Sequence, residues 1–497
     1  VELLRTKSVE QSIKDTEEPE HKLNRTLGPL GLSVFGVGVI IGTGIFVLTG
    51  EAAGAEAGPA IALSFVFAGI ACALAALCYA EFASTVPVAG SAYTFSYASL
   101  GELIAWIIGW DLILELALGA ATVASGWSEY FNTVMADTFH VTVPAWLLAE
   151  HHNLIAAALV IGLTILLCFG INVSTKVNAV IVAIKVAIVL LVIIAGVTYL
   201  DTANWSPFIP TSGSMPAPGS ASTTTLAQDI GIGTGTFGIG GIFSGAALVF
   251  FAFIGFDIVA TAAEETKNPQ RDLPIGIFGS LAICTTLYVL VSLVVTGMVP
   301  YNQISVEAPL AEAFKSVGND TIAQLVSWGA LAGLTTVTLI LMLGQSRIFF
   351  AMSRDRLLPP LFAAVSERWR APYRTTLVTG AAVAALTTFV PLTTLAELVN
   401  IGTLFAFIVV SLGVIVLRRT QPDLERAFRA PGVPFLPILS ILASLWLMLN
   451  LATDTWLRFG VWMVVGFFVY FLYSKRHSRL ETGESAPGTS QPASSGA

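Results

Sequence analysis

Charge is scarce in this sequence. Only 11% of its 497 residues are Asp, Glu, Lys or Arg, while 55% are hydrophobic. A soluble multidomain protein carries about twice that charged fraction, so that class is excluded and an integral membrane protein is expected. No stretch reads as a soluble domain. The longest interval without a candidate span, 200–241, is rich in Gly, Ser, Thr and Pro and has no core pattern. The first thirty residues are polar and charged, so no cleavable signal peptide is expected. The five histidines, His21, His140, His151, His152 and His477, lie outside the apolar runs. A mid-membrane metal or histidine catalytic centre is therefore not expected, nor any resident cofactor. The four cysteines, Cys72, Cys78, Cys168 and Cys284, all fall inside apolar runs and read as packing thiols, not a disulfide framework. The sequence contains no nucleophile–base–metal constellation for an enzyme and no repeated filter loop for a channel. The net charge of −8 says little about partners, because placement matters more than the sum, and no nucleic-acid partner is expected.

What is abundant is apolar length. About twenty apolar residues cross a bilayer as a helix. On that rule twelve spans are expected at 29–51, 59–85, 99–126, 153–171, 175–200, 241–264, 274–299, 321–350, 374–391, 394–417, 433–451 and 456–473. Of the 24 Lys and Arg residues, only Lys315 and Arg458 fall on one side of this arrangement; Lys185 alone lies within a span, and the remaining twenty-one fall on the other side. Cytoplasmic segments carry the basic excess, so both termini are expected inside. The tail from Glu481, TGESAPGTSQPASSGA, reads as disordered.

Two of the spans are interrupted. The first contains GVGVIIGTGIFVLTG, residues 36–50, in which Gly42-Thr43-Gly44 breaks the apolar helix midway. In hydrocarbon an unpaired backbone N–H or C=O costs several kcal/mol, so a broken span persists only where protein or a bound solute satisfies it. The sixth span breaks similarly at residues 253–257, FIGFD. The two breaks lie five spans apart, an odd number, so the second half enters the membrane inverted. Interrupted helices at matching positions of inverted halves point to a secondary transporter with its site between the breaks.

The run FFAFIGFDIVATAAEETKNPQRDLPIGI, residues 250–277, resembles the signature of the cationic amino acid transporters, a branch of the amino acid–polyamine–organocation superfamily. The break at 36–50 agrees with it, as do YAEFASTVPVAGSAYTFSY at 79–97, GELIAWIIGWDLILELALG at 101–119 and GQSRIFFAMSRDRLLPP at 344–360. Animal members carry two further C-terminal spans; this chain is similar to the twelve-span bacterial type. The resemblance implies an all-α membrane protein of LeuT-type architecture, with spans one to five (29–200) and six to ten (241–417) as inverted five-helix repeats. Spans eleven and twelve (418–473) would be peripheral, 201–240 an outer loop, and 1–28 and 474–497 cytoplasmic. It further implies proton-coupled import of arginine, lysine or ornithine across the plasma membrane by alternating access, the proton being the coupling ion. A broad neutral amino acid permease is the alternative within the fold, and a non-transporting amino acid sensor the alternative outside it. The partners expected are an amino acid and the lipid bilayer.

For the site, the resemblance places the substrate carboxylate on the amides of Thr43, Gly44 and Ile45 and the ammonium on carbonyls near Ile40 and Ile41. The second break adds backbone groups of Phe250, Phe251, Ala252 and Ile254. Lys185 sits about ten residues, roughly 15 Å, into span five, near the bilayer centre. By the same resemblance its ammonium would bond span-one carbonyls near 37–40 and the hydroxyls of Thr335 or Thr336, holding the spans together in a proton-dependent way. A permanent pairing of Lys185 with an intramembrane carboxylate is the alternative. Asp111 and Glu115, at i and i+4, share one helix face and are candidates for a cationic side chain or a proton. Asp257, just past the second break, is either functional or a cap on the broken helix. Glu81 and Glu102 read as gate or helix-end residues, and Glu264 and Glu265 as partners of nearby basic residues. The glycine-rich stretch 231–241 lacks the Lys-Ser or Lys-Thr of a phosphate loop and reads as a hinge. Arg354, Arg356, Arg368 and Arg370 are explained by the inside excess of positive charge.

Overall fold

The structure, a computed structural model, describes residues 27–86, 91–149, 152–170, 175–219, 224–233, 235–262, 266–363 and 373–478. The N-terminal 26 residues, the tail from residue 479, Glu264, Glu265, Arg368 and Arg370 lie outside them. The chain is built from helices: Pro29–Ile40 (α1), Thr43–Phe46 (α2), Leu48–Ala52 (α3), Ile61–Thr85 (α4), Ser91–Ser99 (α5), Glu102–Phe139 (α6), Leu154–Cys168 (α7), Thr175–Gly196 (α8), Leu226–Asp229 (α9), Gly238–Val249 (α10), Phe256–Thr261 (α11), Pro269–Met298 (α12), Pro309–Ser316 (α13), Asp320–Arg354 (α14), Tyr373–Phe389 (α15), Leu392–Thr420 (α16), Phe435–Leu449 (α17) and Thr453–Val469 (α18). A two-residue antiparallel pair, Leu148–Ala149 with His152–Asn153, interrupts this pattern at a surface turn. Among the described residues eight helical stretches are long and apolar enough to cross a membrane, and α1, α7 and α17 are shorter apolar helices.

The sequence pattern accounts for these lengths unevenly. The span expected at 99–126 continues to Phe139, because WSEYFNTVMADTF keeps helical spacing after its hydropathy has fallen. Conversely α7 and α17 have only 15 residues each. Outer surfaces are greasy, as a membrane protein requires: Val177, Val180 and Ile194 on α8 and Leu457, Val461 and Val464 on α18 are exposed.

Helices early in the chain pack on helices much later in it. The long α6 lies along α14, α4 along α12, and α7 along α15. The last of these helices, α18, docks on α6 through tryptophans. Trp110 and Trp462 stack with centroids 4.5 Å apart, and Trp106 Nε1 donates to the Gly466 carbonyl at 2.9 Å.

At the end from which α1 starts, buried ion pairs close the bundle. Glu81, 2% exposed, takes a bidentate fork from Arg418 at 2.9 and 2.6 Å, accepts the Ala430 N–H at 2.8 Å and has Arg426 Nε at 3.4 Å. Glu102 accepts hydrogen bonds from Tyr97, Tyr470 and Ser478. Both carboxylates therefore tie helix ends together.

Removing one partner of a buried pair leaves an uncompensated charge, a loss of about 3–5 kcal/mol. Arg418→Ala should accordingly lower the thermal unfolding midpoint in detergent by several degrees. Arg418→Lys should recover part of it by keeping the charge without the fork, and an unchanged midpoint for the alanine variant would show that Arg426 alone balances Glu81.

Candidate binding site between two broken helices

The two interrupted helices run antiparallel along their whole length. At one end Leu27 bridges to Thr266, with Lys267 N–H donating to the Leu27 carbonyl at 2.9 Å. At the other, Phe237 N–H donates to the Glu56 carbonyl at 2.8 Å. Midway they touch: a Cβ on Gly44 would fall on the backbone of Ala252. Glycine is required there by close backbone approach.

The first break separates α1 from α2. Ile40 ends α1, Ile41 is extended at ψ 98°, and Gly42 leads into α2. The first bond of the new half-helix is Ile45 N–H to Gly42 C=O at 3.2 Å, so the amides of Thr43 and Gly44 precede the intrahelical ladder. Ile45's amide is thus engaged within its own turn. The Thr43 hydroxyl is fully buried and has no partner among the described residues. This corner therefore offers donors to an anionic group.

The carbonyls that the break frees are held by side chains from elsewhere. Lys185, 1% exposed on α8, donates to the carbonyls of Gly38 and of Ile41, the latter at 3.0 Å. Tyr288 on α12 donates to the Ile40 carbonyl at 2.8 Å. The stem of Lys185 lies against Gly333 of α14, where a Cβ would come within 2.5 Å of its Cδ. The hydroxyls of Thr335 and Thr336 donate within their own helix, to Leu331 and Gly333 carbonyls at 2.7 and 2.8 Å. The structure thus links Lys185 to α1 and α14 through backbone and glycine, and it forms no ion pair among the described residues. Because a carbonyl has two lone pairs, Ile40 and Ile41 each keep one acceptor position.

The second break is a tight turn, Phe250–Phe253, followed by Ile254 and by Gly255 at φ +117°. Only glycine adopts that left-handed backbone without strain. Asn400 on α16 caps the end of α10, donating to the Ala247 and Leu248 carbonyls at 2.7 and 3.0 Å. Asp257 closes the start of α11, accepting the Gly255 N–H at 3.3 Å. Phe250 and Phe256 pack edge-on or tilted against Phe407, so these rings help build the wall between the break and α16.

Asp111 and Glu115 face α16 and α4 from α6. They are 0% and 2% exposed, and all four carboxylate oxygens are buried without a hydrogen-bond partner among the described residues. Asp111 Oδ1 lies where a Cβ on Gly402 would be 2.7 Å away. Asp111, Glu115 and Asp257 are all electrostatic neighbours of Tyr79. Nothing in the sequence pointed to Tyr288, Asn400 or Tyr130, whose hydroxyl donates to the Phe46 carbonyl at 2.7 Å. Each is a lone polar group in an apolar run whose partner lies far away in the chain.

An all-helical bundle with two antiparallel broken helices, free amides and interior charge defines a membrane solute carrier. The comparison with known proteins says which kind. The amino acid permease family model matches residues 27–476. A methylthioribose transporter of Bacillus subtilis is 47% identical over 92% of this chain and 95% of its own length. The branched-chain amino acid permease BcaP of the same organism is 47% identical over 96% and 99%. A vacuolar cationic amino acid transporter of Arabidopsis thaliana is 31% identical over 98% and 97%. The chain belongs to the amino acid permease family of the amino acid–polyamine–organocation superfamily, and is a multi-pass membrane protein.

A methyl on Gly44 must push Ala252 away, an overpacking cost of about 1–3 kcal/mol located at the break itself. Gly44→Ala should therefore cut uptake of labelled amino acids into proteoliposomes by about tenfold or more at equal protein incorporation. Uptake at the wild-type rate would mean that the two breaks do not close on substrate.

Proposed function

We propose that this protein is a secondary active transporter that brings amino acids across the plasma membrane, with arginine, lysine and ornithine preferred and protons as the driving ion. Both termini are cytoplasmic in this reading, and spans one to five and six to ten are the inverted halves. The observation that carries amino acid binding is the meeting of the two breaks at Gly44 and Ala252, beside the amides of Thr43 and Gly44. Those donors suit a carboxylate, and the remaining acceptor positions of Ile40 and Ile41 suit an ammonium. Backbone atoms thereby read the part common to every amino acid.

Side-chain preference must come from elsewhere. Asp111 and Glu115 supply four buried carboxylate oxygens without a hydrogen-bond partner among the described residues, an arrangement tolerated in a dry interior only if a proton or an arriving cation neutralises it. That supports the cationic reading. The neutral reading is supported by a different observation, the 47% identity to a permease named for branched-chain amino acids. Counterflow in proteoliposomes decides between them: labelled arginine should exchange faster than leucine or alanine, and the reverse order would favour the neutral permease.

Lys185 is the proposed coupling residue. Charge-assisted bonds from its ammonium to the Gly38 and Ile41 carbonyls hold the inner end of α1 to α8; losing the proton weakens them and lets α1 move. Lys185→Ala should abolish accumulation driven by a pH gradient while leaving some exchange at equal pH. Accumulation as steep as in the wild type would remove Lys185 from the coupling step. Glu115→Gln should reduce arginine and lysine exchange by about tenfold more than alanine exchange, the loss of one charge-assisted bond. An equal loss for all three amino acids would argue against a side-chain contact at Glu115.

A further inference from the structure

A cavity of about 500 Å³ opens at the end of the bundle opposite the ion pairs of Glu81 and the hydrogen bonds to Glu102. That volume is in the range of sites for small organic molecules. Its walls come from both halves of the chain: Val47 and Glu51 of the first broken helix, Ser125 and Glu129 of α6, Glu307 before α13, and the turn between α15 and α16. Val47 stands one turn beyond Thr43, so the cavity ends directly over the first break. The three charged residues lining it are all acidic.

Acidic residues alone do not make a site, but here a hydroxyl and one carboxylate oxygen are left without a hydrogen-bond partner among the described residues. Ser125 is 4% exposed, and its hydroxyl has no hydrogen-bond partner among the described residues. One carboxylate oxygen of Glu129, Oε2, is buried and likewise unpartnered. The neighbouring groups show that this is not general in the cavity. Ser128 donates to the Ser125 carbonyl at 2.6 Å, and Asn153 donates to the Ser128 hydroxyl at 2.7 Å. Ser125 and Glu129 are four residues apart, hence stacked on one face of α6 about 6 Å apart along its axis. They form a polar track from the cavity toward the break. Lys315, on α13, is committed to Asp137 and Glu312 at 2.7 Å each.

We infer that this cavity is a second binding site, distinct from the one between the breaks, which takes an organic cation of ammonium or guanidinium type through Glu129, Glu51 and Glu307. A metal ion fits less well. The described residues contain no group of three carboxylate, His or Cys ligands placed to hold one, and the space is many times an ion's volume. Its position on the outer side, as an antechamber for a cationic substrate, rests on the transport reading above; binding of the cation does not.

The test uses the full chain in lipid nanodiscs and agmatine, a guanidinium that lacks the carboxylate the Thr43 and Gly44 amides would hold. Calorimetric titration should show saturable binding, weakened by about tenfold or more in Glu129→Gln, as expected for one charge-assisted hydrogen bond. Glu307→Gln, on a loop, should weaken it as well and decides the matter if the Glu129 variant does not fold. No binding, equal affinity in wild type and the folded variants, or displacement of agmatine by micromolar calcium would overturn the inference. Failure of the wild type to move any amino acid would sink the transport reading alone and leave agmatine binding in place.

Discussion

The constraint on which this structure depends is that a helix interrupted inside an apolar bundle exposes carbonyls that have no water to bond. At the first break three carbonyls, those of Gly38, Ile40 and Ile41, are met by two side chains from two other helices, Lys185 and Tyr288. Each unmet carbonyl would cost several kcal/mol, so the positions of α8 and α12 relative to α1 follow from the break and not only from apolar packing. The second break is held by one distant amide and one local carboxylate. Asn400 bonds the end of α10, and Asp257 closes the start of α11 on its own backbone.

This difference between the breaks has mechanical consequences. Asn400 and Asp257 hold the second break through an amide and through a carboxylate bonded to its own turn. Lys185 is a cation whose bonds strengthen with its charge, and its stem rests on a glycine of α14. Of the two broken helices, the first is therefore the one whose N-terminal half, α1, is secured by a lysine from another helix. The ion pairs of Glu81 and the hydrogen bonds to Glu102 close the same end of the bundle with helix ends and loop backbone. Opening at that end must break them together.

Much of this frame was legible in the sequence, for identifiable physical reasons. Gly42-Thr43-Gly44 and Gly255 announce themselves because glycine is costly inside a helix unless backbone must turn or be approached. A lone lysine in an apolar run has to point inward, and Lys185 does. Span lengths were less legible: α6 runs on to Phe139 because polar residues at its outer end lower hydropathy without ending helical geometry. Threonines misdirect, since Thr335 and Thr336 can satisfy themselves on the preceding turn and do. Tyr288 and Asn400 were invisible because their partners are 248 and 152–153 residues away in the chain. Long-range capping leaves no local pattern.

The distribution of interior charge then follows a direction. Acidic groups stand on both sides of the first break along α6: Glu129 beyond it, Asp111 and Glu115 before it, with Ser125 between. A single helix therefore carries polar atoms over about 18 residues, roughly 27 Å at 1.5 Å per residue, most of the thickness of a bilayer core. Such a series is expensive if the helix only packs, since leucine at each position would fill the same space without desolvating a carboxylate. It is economical if a cation must pass along that face, because each carboxylate reduces the cost of removing the cation from water. The backbone site at the breaks is then the one point on the route that also recognises a carboxylate. On the proposed function a solute carrying both charges would be held there more completely than a simple cation, and that difference would separate an amino acid from agmatine on this scaffold.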